Sequence, residues 1–386
     1  MSVEELRKLI LCNQKESALL IGNGINLCGG TNCSWNDLLI EISKKYGTQL
    51  IITNDKQGIS NTEFFDTIEI SILGKIKSFD PKEFELQRIK LDGILVDPER
   101  AKQIEKEINE FALRPPKNFN IEDYKPEKVK FGEILSTLKS AGIDIELMVK
   151  LSELGNKFMP AVKSILLDEI CKKMRRWSPS NIHISTTKFA KKYNIPILTT
   201  NYDTLLEQAS EAKLHDFKHP NSSDSLPIGR CYTSHPFPEI NKFGIWHING
   251  VIEYPSSILI GLSHYMRIMQ QIRTLIMGNN KYDAELFENI KDDFLSLKNT
   301  WVQIVFSKNI FVFGLSLNTD EVVLRWLLME RAKLYALYPY LKRKGWYITK
   351  IDEEISPEKE YFFKSVGFEI IRVPDYQDMY KAISLQ

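Results

Sequence analysis

What this chain lacks narrows its chemistry before any motif is read. Its five cysteines, Cys12, Cys28, Cys33, Cys171 and Cys231, are odd in number and form no C-x-x-C pair. That excludes a disulfide framework and a four-thiolate zinc site, and leaves reduced, structural thiols. No stretch approaches the roughly 18 uninterrupted apolar residues of a membrane span. The most apolar segments, Ala18 to Ile21 and Ile310 to Leu317, are strand-sized. The first residues, MSVEELRKLILCNQKES, place acids where a signal peptide would be basic, which points to a cytoplasmic location. An excess of one charge is missing too: 51 basic against 50 acidic side chains give a net charge of +1. A dedicated nucleic-acid wrapper is therefore excluded, and basic clusters such as Lys172, Lys173, Arg175 and Arg176 read as solvated faces. There is no internal repeat and no low-complexity tract.

What is present is a chain of 386 residues, 43% hydrophobic and 26% charged, the profile of a soluble globular protein. At roughly 100 to 200 residues per domain it holds about two to three units. Both ends alternate strand-like and helix-like segments, whereas the middle is helical. The fold class expected is α/β, a Rossmann-like, mostly parallel sheet with an inserted helical subdomain. Residues 1–50 and 178–386 would form the sheet domain and 51–177 the insertion. Met1 to Leu11 reads as an amphipathic helix, Ser17 to Gly22 as a strand and Ser34 to Tyr46 as a serine-capped helix. In the insertion, Phe64, Phe65, Ile68, Ile72 and Ile76 form one helical stripe, and Leu147, Leu151, Leu154, Phe158, Val162 and Leu166 another. Pro160 should kink or break the second stripe, and Arg114 to Glu127, with three prolines, should be a loop. Further strands are expected at Ile195–Thr199, Phe243–Ile248, Ile258–Gly261, Ile310–Gly314, Trp346–Ile351 and Phe368–Val373, with helices starting near Asp203, Asp320 and Pro357. The connector Leu214 to Asn241, holding four prolines and three histidines, reads as a long surface loop.

Four strand-end segments carry the chemistry. In ALLIGNGINL, Gly22, Asn23, Gly24, Ile25 and Asn26 follow a strand and precede a helix. Glycines there let backbone amides approach a pyrophosphate and Asn26 could donate to it, although a plain tight turn needs the same residues. In PILTTNYDTLL, a strand ends in Thr199 and Thr200 and is followed by Asn201, Tyr202 and Asp203. Asp203 alone reads as a helix N-cap, which leaves Asn201 without a structural task. In IWHINGVIEYPSSILIG, His247 and Asn249 are two apart on a strand and share a face, and Gly250 directly after them admits a close approach to the backbone. In FVFGLSLNTDE, a buried strand breaks at Gly314 and turns through Ser316 and Asn318 into a helix, as a ribose or phosphate site or a well-capped junction would.

In this order the segments resemble the sirtuin-like family, whose motifs run G-A-G-x-S, T-x-N-x-D, H-G and a later G-x-S. The counterparts are GNGIN, TTNYD, HING and GLSLNTDE. The resemblance is closest to the bacterial branch found in antiphage defence, and PSSILIG with His264 and Tyr265 supports that branch. The paired C-x-x-C motifs of protein-deacylating sirtuins are missing. One departure stands out: the family's catalytic histidine directly precedes glycine, and here Asn249 holds that place while His247 lies two residues earlier.

The resemblance implies an enzyme that hydrolyses NAD to nicotinamide and ADP-ribose as an effector of abortive infection. NAD would be the substrate and no metal would be needed. Asn201 would orient water and ribose, with His247 or Asn249 on the ribose hydroxyls. Gly22, Asn23, Gly24, Ile25 and Asn26 would cradle the pyrophosphate, Thr200, Asp203 and Gly250 would complete the pocket, and Gly314 and Ser316 would face the adenosine half. Because unrestrained NAD loss kills the host, the resemblance also implies a gate. Its form would be a homo-oligomer or a separate activator, either a nucleotide-sensing subunit or a ring ATPase, without membrane or direct nucleic-acid contact. The alternative is a regulatory subunit that binds NAD or ADP-ribose without turning it over, and Asn249 is its best support.

Overall fold

The computed structural model describes residues 1–30, 34–45, 60–77, 158–216, 228–277, 299–319 and 321–385. The chain divides into two compact units, one of Met1–Glu41, Ile52–Phe65 and Asp168–Gln386, the other of Ile42–Ile51 and Asp66–Leu167. The proline-containing loop from Arg114 to Glu127 and the stripe residues Leu147, Leu151 and Leu154 lie outside the described residues.

The first unit is built on an eight-stranded sheet. Its strands are β1 (Ser17–Ile21), β2 (Ile197–Thr199), β3 (Lys213–Asp216), β4 (Arg230–Thr233), β5 (Ile245–His247), β6 (Asn309–Phe313), β7 (Gly345–Lys350) and β8 (Phe368–Val373). They lie in the order β3-β4-β5-β2-β1-β6-β7-β8. Strands β5, β2, β1, β6, β7 and β8 are mutually parallel, and β4 runs against both β3 and β5. Counted along the chain, the parallel strands stand in the Rossmann order 3-2-1-4-5-6, with the topological switch between β1 and β6. The expected mixed α/β class and mostly parallel sheet are therefore observed.

Strand alternation explains the layers. On β1, Ala18 and Leu20 face one core with Leu198, Trp246, Ile310 and Val312, whereas Leu19 and Ile21 face the other with Ile197, Ile245, Phe311 and Phe313. Such continuous apolar strands are what a sheet covered on both faces requires. The first face is covered by α8 (Leu262–Met277), α9 (Trp301–Ser307), α10 (Val322–Leu337) and α11 (Pro357–Ser365). The second is covered by α1 (Val3–Asn13), α2 (Gly24–Cys28), α6 (Asn181–Tyr193), α7 (Leu205–Ser210) and α12 (Tyr376–Ala382). Each fully buried Leu, Ile or Phe contributes about 1.5–3 kcal/mol, so the two faces together drive assembly. Ser34 caps α3 (Trp35–Lys45) through the Asp37 amide at 3.1 Å, as expected, and Ser2 and Glu5 form a capping box on α1.

Two expectations are corrected. Ile258 to Gly261 is not a strand; Leu259 donates once to the Asn249 carbonyl at 2.8 Å and the chain then enters α8. The connector from Leu214 to Asn241 is not loop throughout, because β3 and β4 pair antiparallel inside it and extend the sheet beyond β5. Alternation in Lys213 to Asp216 and Arg230 to Thr233 is too brief to mark strands against a background of prolines. Pro160 sits in the first turn of α5 (Phe158–Met174), where an amide hydrogen has no intrahelical acceptor to lose, and the stripe residues before Phe158 lie outside the described residues. The Phe64 stripe forms α4 (Asn61–Lys77) and buries Phe64, Phe65, Ile68 and Ile72 as its spacing requires.

The parallel order puts the carboxyl ends of β5, β2, β1 and β6 side by side. Register aligns Phe313 with Ile21, Ile21 with Thr199, and Thr199 with His247 in one row across the sheet. The loops leaving this row cross tightly at the switch point. Gly24 donates to the Gly314 carbonyl at 2.8 Å, and a Cβ on Gly24 would stand 2.5 Å from Gly314 Cα. Gly314 has φ +57°, and a Cβ there would lie 2.2 Å from the Tyr380 hydroxyl and 2.8 Å from Gly24 Cα. Replacing Gly314 with Ala should therefore cost about 2–4 kcal/mol, from left-handed backbone strain plus overpacking. Gly367, with φ +75° and open space around it, supplies the control. In chemical denaturation Gly367→Ala should lose only the strain, about 1–2 kcal/mol, and equal losses at the two positions would refute the close crossing.

Candidate active site

Four adjacent strand ends, drawn from positions up to 292 residues apart between Gly22 and Gly314, supply the polar groups of the crevice. Thr199 fastens the second segment to the first. Its hydroxyl donates to the Ile21 carbonyl at 2.9 Å and accepts from the Asn201 amide at 3.1 Å. The Thr200 amide reaches the same Ile21 carbonyl at 3.4 Å. Asn201 is thereby held at the rim of β1, 5% exposed, with Nδ2 donating over a long 3.4 Å to the Gly22 carbonyl. Asn249, 7% exposed, donates over 3.5 Å to the Thr200 carbonyl. The amide oxygens of Asn201 and Asn249 accept no hydrogen bond among the described residues, which leaves both available to a molecule in the crevice.

His247 behaves differently. It is 4% exposed, with Nδ1 2.7 Å from the Asn201 carbonyl and Nε2 2.8 Å from a Glu207 carboxylate oxygen. The Asn201 carbonyl only accepts, so Nδ1 carries hydrogen, and an ionised Glu207 carboxylate draws a second hydrogen onto Nε2, which makes the ring an imidazolium. Burial works against that charge. The Glu207 carboxylate, the Asn201 carbonyl and Asp203 more than offset it, and the His247 pKa is raised above its ordinary value. A ring with both nitrogens protonated and engaged accepts no further proton. What His247 does is hold the peptide of Asn201.

The loop after β1 also differs from a simple phosphate cradle. Of the amides from Gly22 to Asn26, four donate within the protein: Gly22 to Phe313, Gly24 to Gly314, Ile25 to Gly22 and Asn26 to Asn23. The Asn23 amide is the one that finds no acceptor among the described residues. Gly22 and Gly24 are glycines because the loop after β6 lies on them, with the Gly314 oxygen 2.6 Å from a Cβ at Gly22. Ile25 is buried in the sheet core. Asn26, fully buried, donates from Nδ2 to Asn23 Oδ1 at 2.9 Å and to Asp203 Oδ2 at 2.7 Å. It braces the two loops and is not turned toward a ligand.

Asp203 accepts the Leu205 amide at 3.1 Å, but it is not the N-cap its sequence position suggested: that place belongs to Thr204, and Asp203 lies one residue before it. Burial raises its carboxyl pKa, against the hydrogen bonds from Asn26 and Leu205 that lower it. Gly250 has φ +91°, and the space a side chain would need is filled by the Ser257 carbonyl, 2.2 Å from the Cβ position. Its glycine therefore serves a turn within the protein. Gly314 joins the β1 loop, while Ser316 is exposed and offers its carbonyl to Tyr347 at 3.4 Å. Among the described residues no group of three His, Cys, Asp or Glu side chains is placed to hold a metal, and no helix is long and apolar enough to cross a membrane.

Two residues of this network were not singled out by the sequence. Glu207 stands one helical turn after Asp203, among the polar residues Thr204, Gln208, Ser210 and Glu211, so nothing in its residue type or spacing set it apart as a buried acid. His183 follows Ser180 at capping-box spacing and reaches Asn26 from α6.

Residues 196–371 match the family model of the SIR2-like domain, which supports placing this chain with the sirtuin-like family. The matched stretch begins at β2 and ends in β8, so it contains TTNYD, HING and GLSLNTDE, while the GNGIN loop joins them through the pairing of β1 with β2 and β6. No curated protein matches the chain. SIR2-like domains bind NAD, and a SIR2-like domain is compatible with NAD-dependent activity.

The His247–Glu207 pair sets a pH dependence. A folded-state pKa above the ordinary 6.5 means that the pair stabilises fully below that value and loses its contribution as pH rises through the raised one. The stability gap between wild type and Glu207→Gln should be widest near pH 6, about 1–3 kcal/mol, and should shrink with increasing pH. A gap independent of pH between 6 and 9, followed by urea denaturation, would mean that the ring is neutral in the fold.

Proposed function

We propose that the crevice at the β1/β6 switch point binds NAD and cleaves its nicotinamide–ribose bond, releasing nicotinamide and ADP-ribose. The observation that carries this reading is the placement of Asn201, an amide fixed at the centre of four converging strand ends with its oxygen open to the crevice.

The chemistry suits residues that cannot move protons. The leaving group is a cationic pyridinium that departs as neutral nicotinamide, so no general acid is needed. An oxocarbenium-like ribose is then trapped by water, and the proton of that water passes to solvent once the new C–O bond has formed. What the protein must supply is orientation and dipoles aimed at developing positive charge. The Asn201 oxygen accepts from the attacking water and lies toward the electron-poor carbon, and the Asn249 amide hydrogen-bonds the ribose hydroxyls. His247 and Glu207 position Asn201 through its carbonyl. The Asn23 amide is the donor left for a pyrophosphate oxygen, and Ser316 faces the adenosine half.

A second reading has its own observation. Neither Asn249 nor the engaged His247 is a base, so a chain that holds NAD or ADP-ribose without turnover fits the same crevice. For the biological role we carry over the antiphage branch: NAD depletion by an effector that is held inactive until infection. Residues 51–177 are the proposed place for self-assembly or for docking a nucleotide-sensing or ring-ATPase subunit.

The deciding experiment follows nicotinamide release from NAD by the purified full chain over a range of protein concentrations, beside calorimetric NAD binding. Asn201→Ala should lower turnover by roughly 10²–10³-fold while leaving the fold intact, and Asn249→His should raise it. Wild type that binds NAD and releases nothing, while Asn249→His does, would establish the binding-only reading. Turnover unaffected by Asn201→Ala would overturn the hydrolase mechanism.

A further inference from the structure

Asn26 and Asp203 bind together the two loops that carry Gly22 and Asn201, and the chain of contacts behind them begins one layer deeper, in α6. Here the Ser180 amide donates to His183 Nδ1 at 3.1 Å, with the Ser180 hydroxyl also 2.8 Å from that nitrogen. A backbone amide is only a donor, so Nδ1 must accept and the ring proton must sit on Nε2. Nε2 lies 2.9 Å from Asn26 Oδ1 and donates to it. This in turn settles the orientation of the Asn26 amide, whose two hydrogens go to Asn23 Oδ1 and Asp203 Oδ2. The other Asp203 oxygen accepts the amide of Leu205, at the start of the helix that carries Glu207, and Glu207 holds His247, which holds the Asn201 carbonyl.

We propose that His183, locked in its Nε2–H tautomer, is a positioning residue of the dinucleotide site, because it sets the Asn26 amide that ties the loop after β1 to the loop after β2. Its ring is fully buried and touches no ligand; it acts only through Asn26. The fit around it is close, since a Cβ on Gly29 would lie 2.5 Å from Ser180 Oγ and 3.2 Å from His183 Cε1. Burial also lowers the His183 pKa to about 4, so the neutral tautomer persists at neutral pH. The contrast with His247 is chemical: one ring faces a donor and an acceptor and stays neutral, the other faces two acceptors and is charged.

The inference rests on the NAD reading for its functional consequence, but its structural part has a separate readout. His183→Gln places an amide NH₂ near the Nε2 position and keeps the donor to Asn26, whereas His183→Asn keeps an acceptor for Ser180 and loses that donor. Three measurements on the full chain distinguish them: melting temperature, calorimetric NAD affinity, and hydrogen exchange of the segments 22–28 and 200–206 without ligand. At similar melting temperatures, His183→Asn should accelerate exchange in both loops and weaken NAD binding about tenfold, while His183→Gln stays within about threefold of wild type. If NAD binds and the two variants do not separate, or if both lose affinity in step with melting temperature, the positioning role is overturned. If wild type binds no NAD yet the exchange contrast holds, the NAD reading fails and the brace itself stands.

Discussion

The structure turns on one backbone crossing. Where the strand order reverses, the chain leaving β1 and the chain leaving β6 pass so close that Gly24 hydrogen-bonds Gly314 and neither has room for a Cβ. Strand separation in a sheet is fixed by hydrogen bonding at about 4.8 Å, so two loops that leave neighbouring strands and then turn toward each other can meet only where side chains are absent. The crossing occupies the amides and the space that a phosphate cradle would otherwise offer. It also sets the floor against which Asn201 and Asn249 are presented, and these are the groups left to act on a ligand.

Around that floor, polar side chains divide into those that hold and those that remain open. Asn26, Asp203, His183, His247 and Thr199 are buried and spend their hydrogen bonds on one another, on Ser180 and Glu207, or on backbone, while Glu207 engages Oε1 and keeps Oε2 buried without a partner among the described residues. A buried polar group left unpaired costs about 1–3 kcal/mol, so a closed network of this size is stable only if nearly every member is satisfied, and satisfaction fixes geometry. Two relays converge on Asn201, one from Glu207 through His247 and one from His183 through Asn26 and the Gly22 loop. A site of this kind works by orientation. Its rigid members keep an amide in place, and the proposed cleavage of a bond whose leaving group is already cationic would ask for little more than that.

Much of this was legible from residue order. The strand–glycine–helix run at Gly22, the polar strand end at Asn201, the His247–Asn249 pair and the break at Gly314 are local patterns, and each sits at the carboxyl end of a parallel strand. Apolar strands buried on both faces are equally local, because their burial demands uninterrupted Val, Ile, Leu and Phe. What escaped was of two kinds. Strands β3 and β4 are short and half polar, and they exist because β5 offers an edge for β4 to pair with and β4 one for β3. The roles of single polar residues escaped because a side chain's partner, not its type, decides whether it braces or binds.

Sequence by itself therefore determined the class of fold, the four strand-end segments and their relation to sirtuin-like motifs, since these depend on period, spacing and residue identity. Only the tertiary structure decided that the glycines serve a crossing of two loops, that Asn26 faces inward, and that His247 is an imidazolium clamped between Asn201 and Glu207. Protonation and orientation depend on which donors and acceptors lie within about 3 Å, and those neighbours come from strands and helices far apart in the chain.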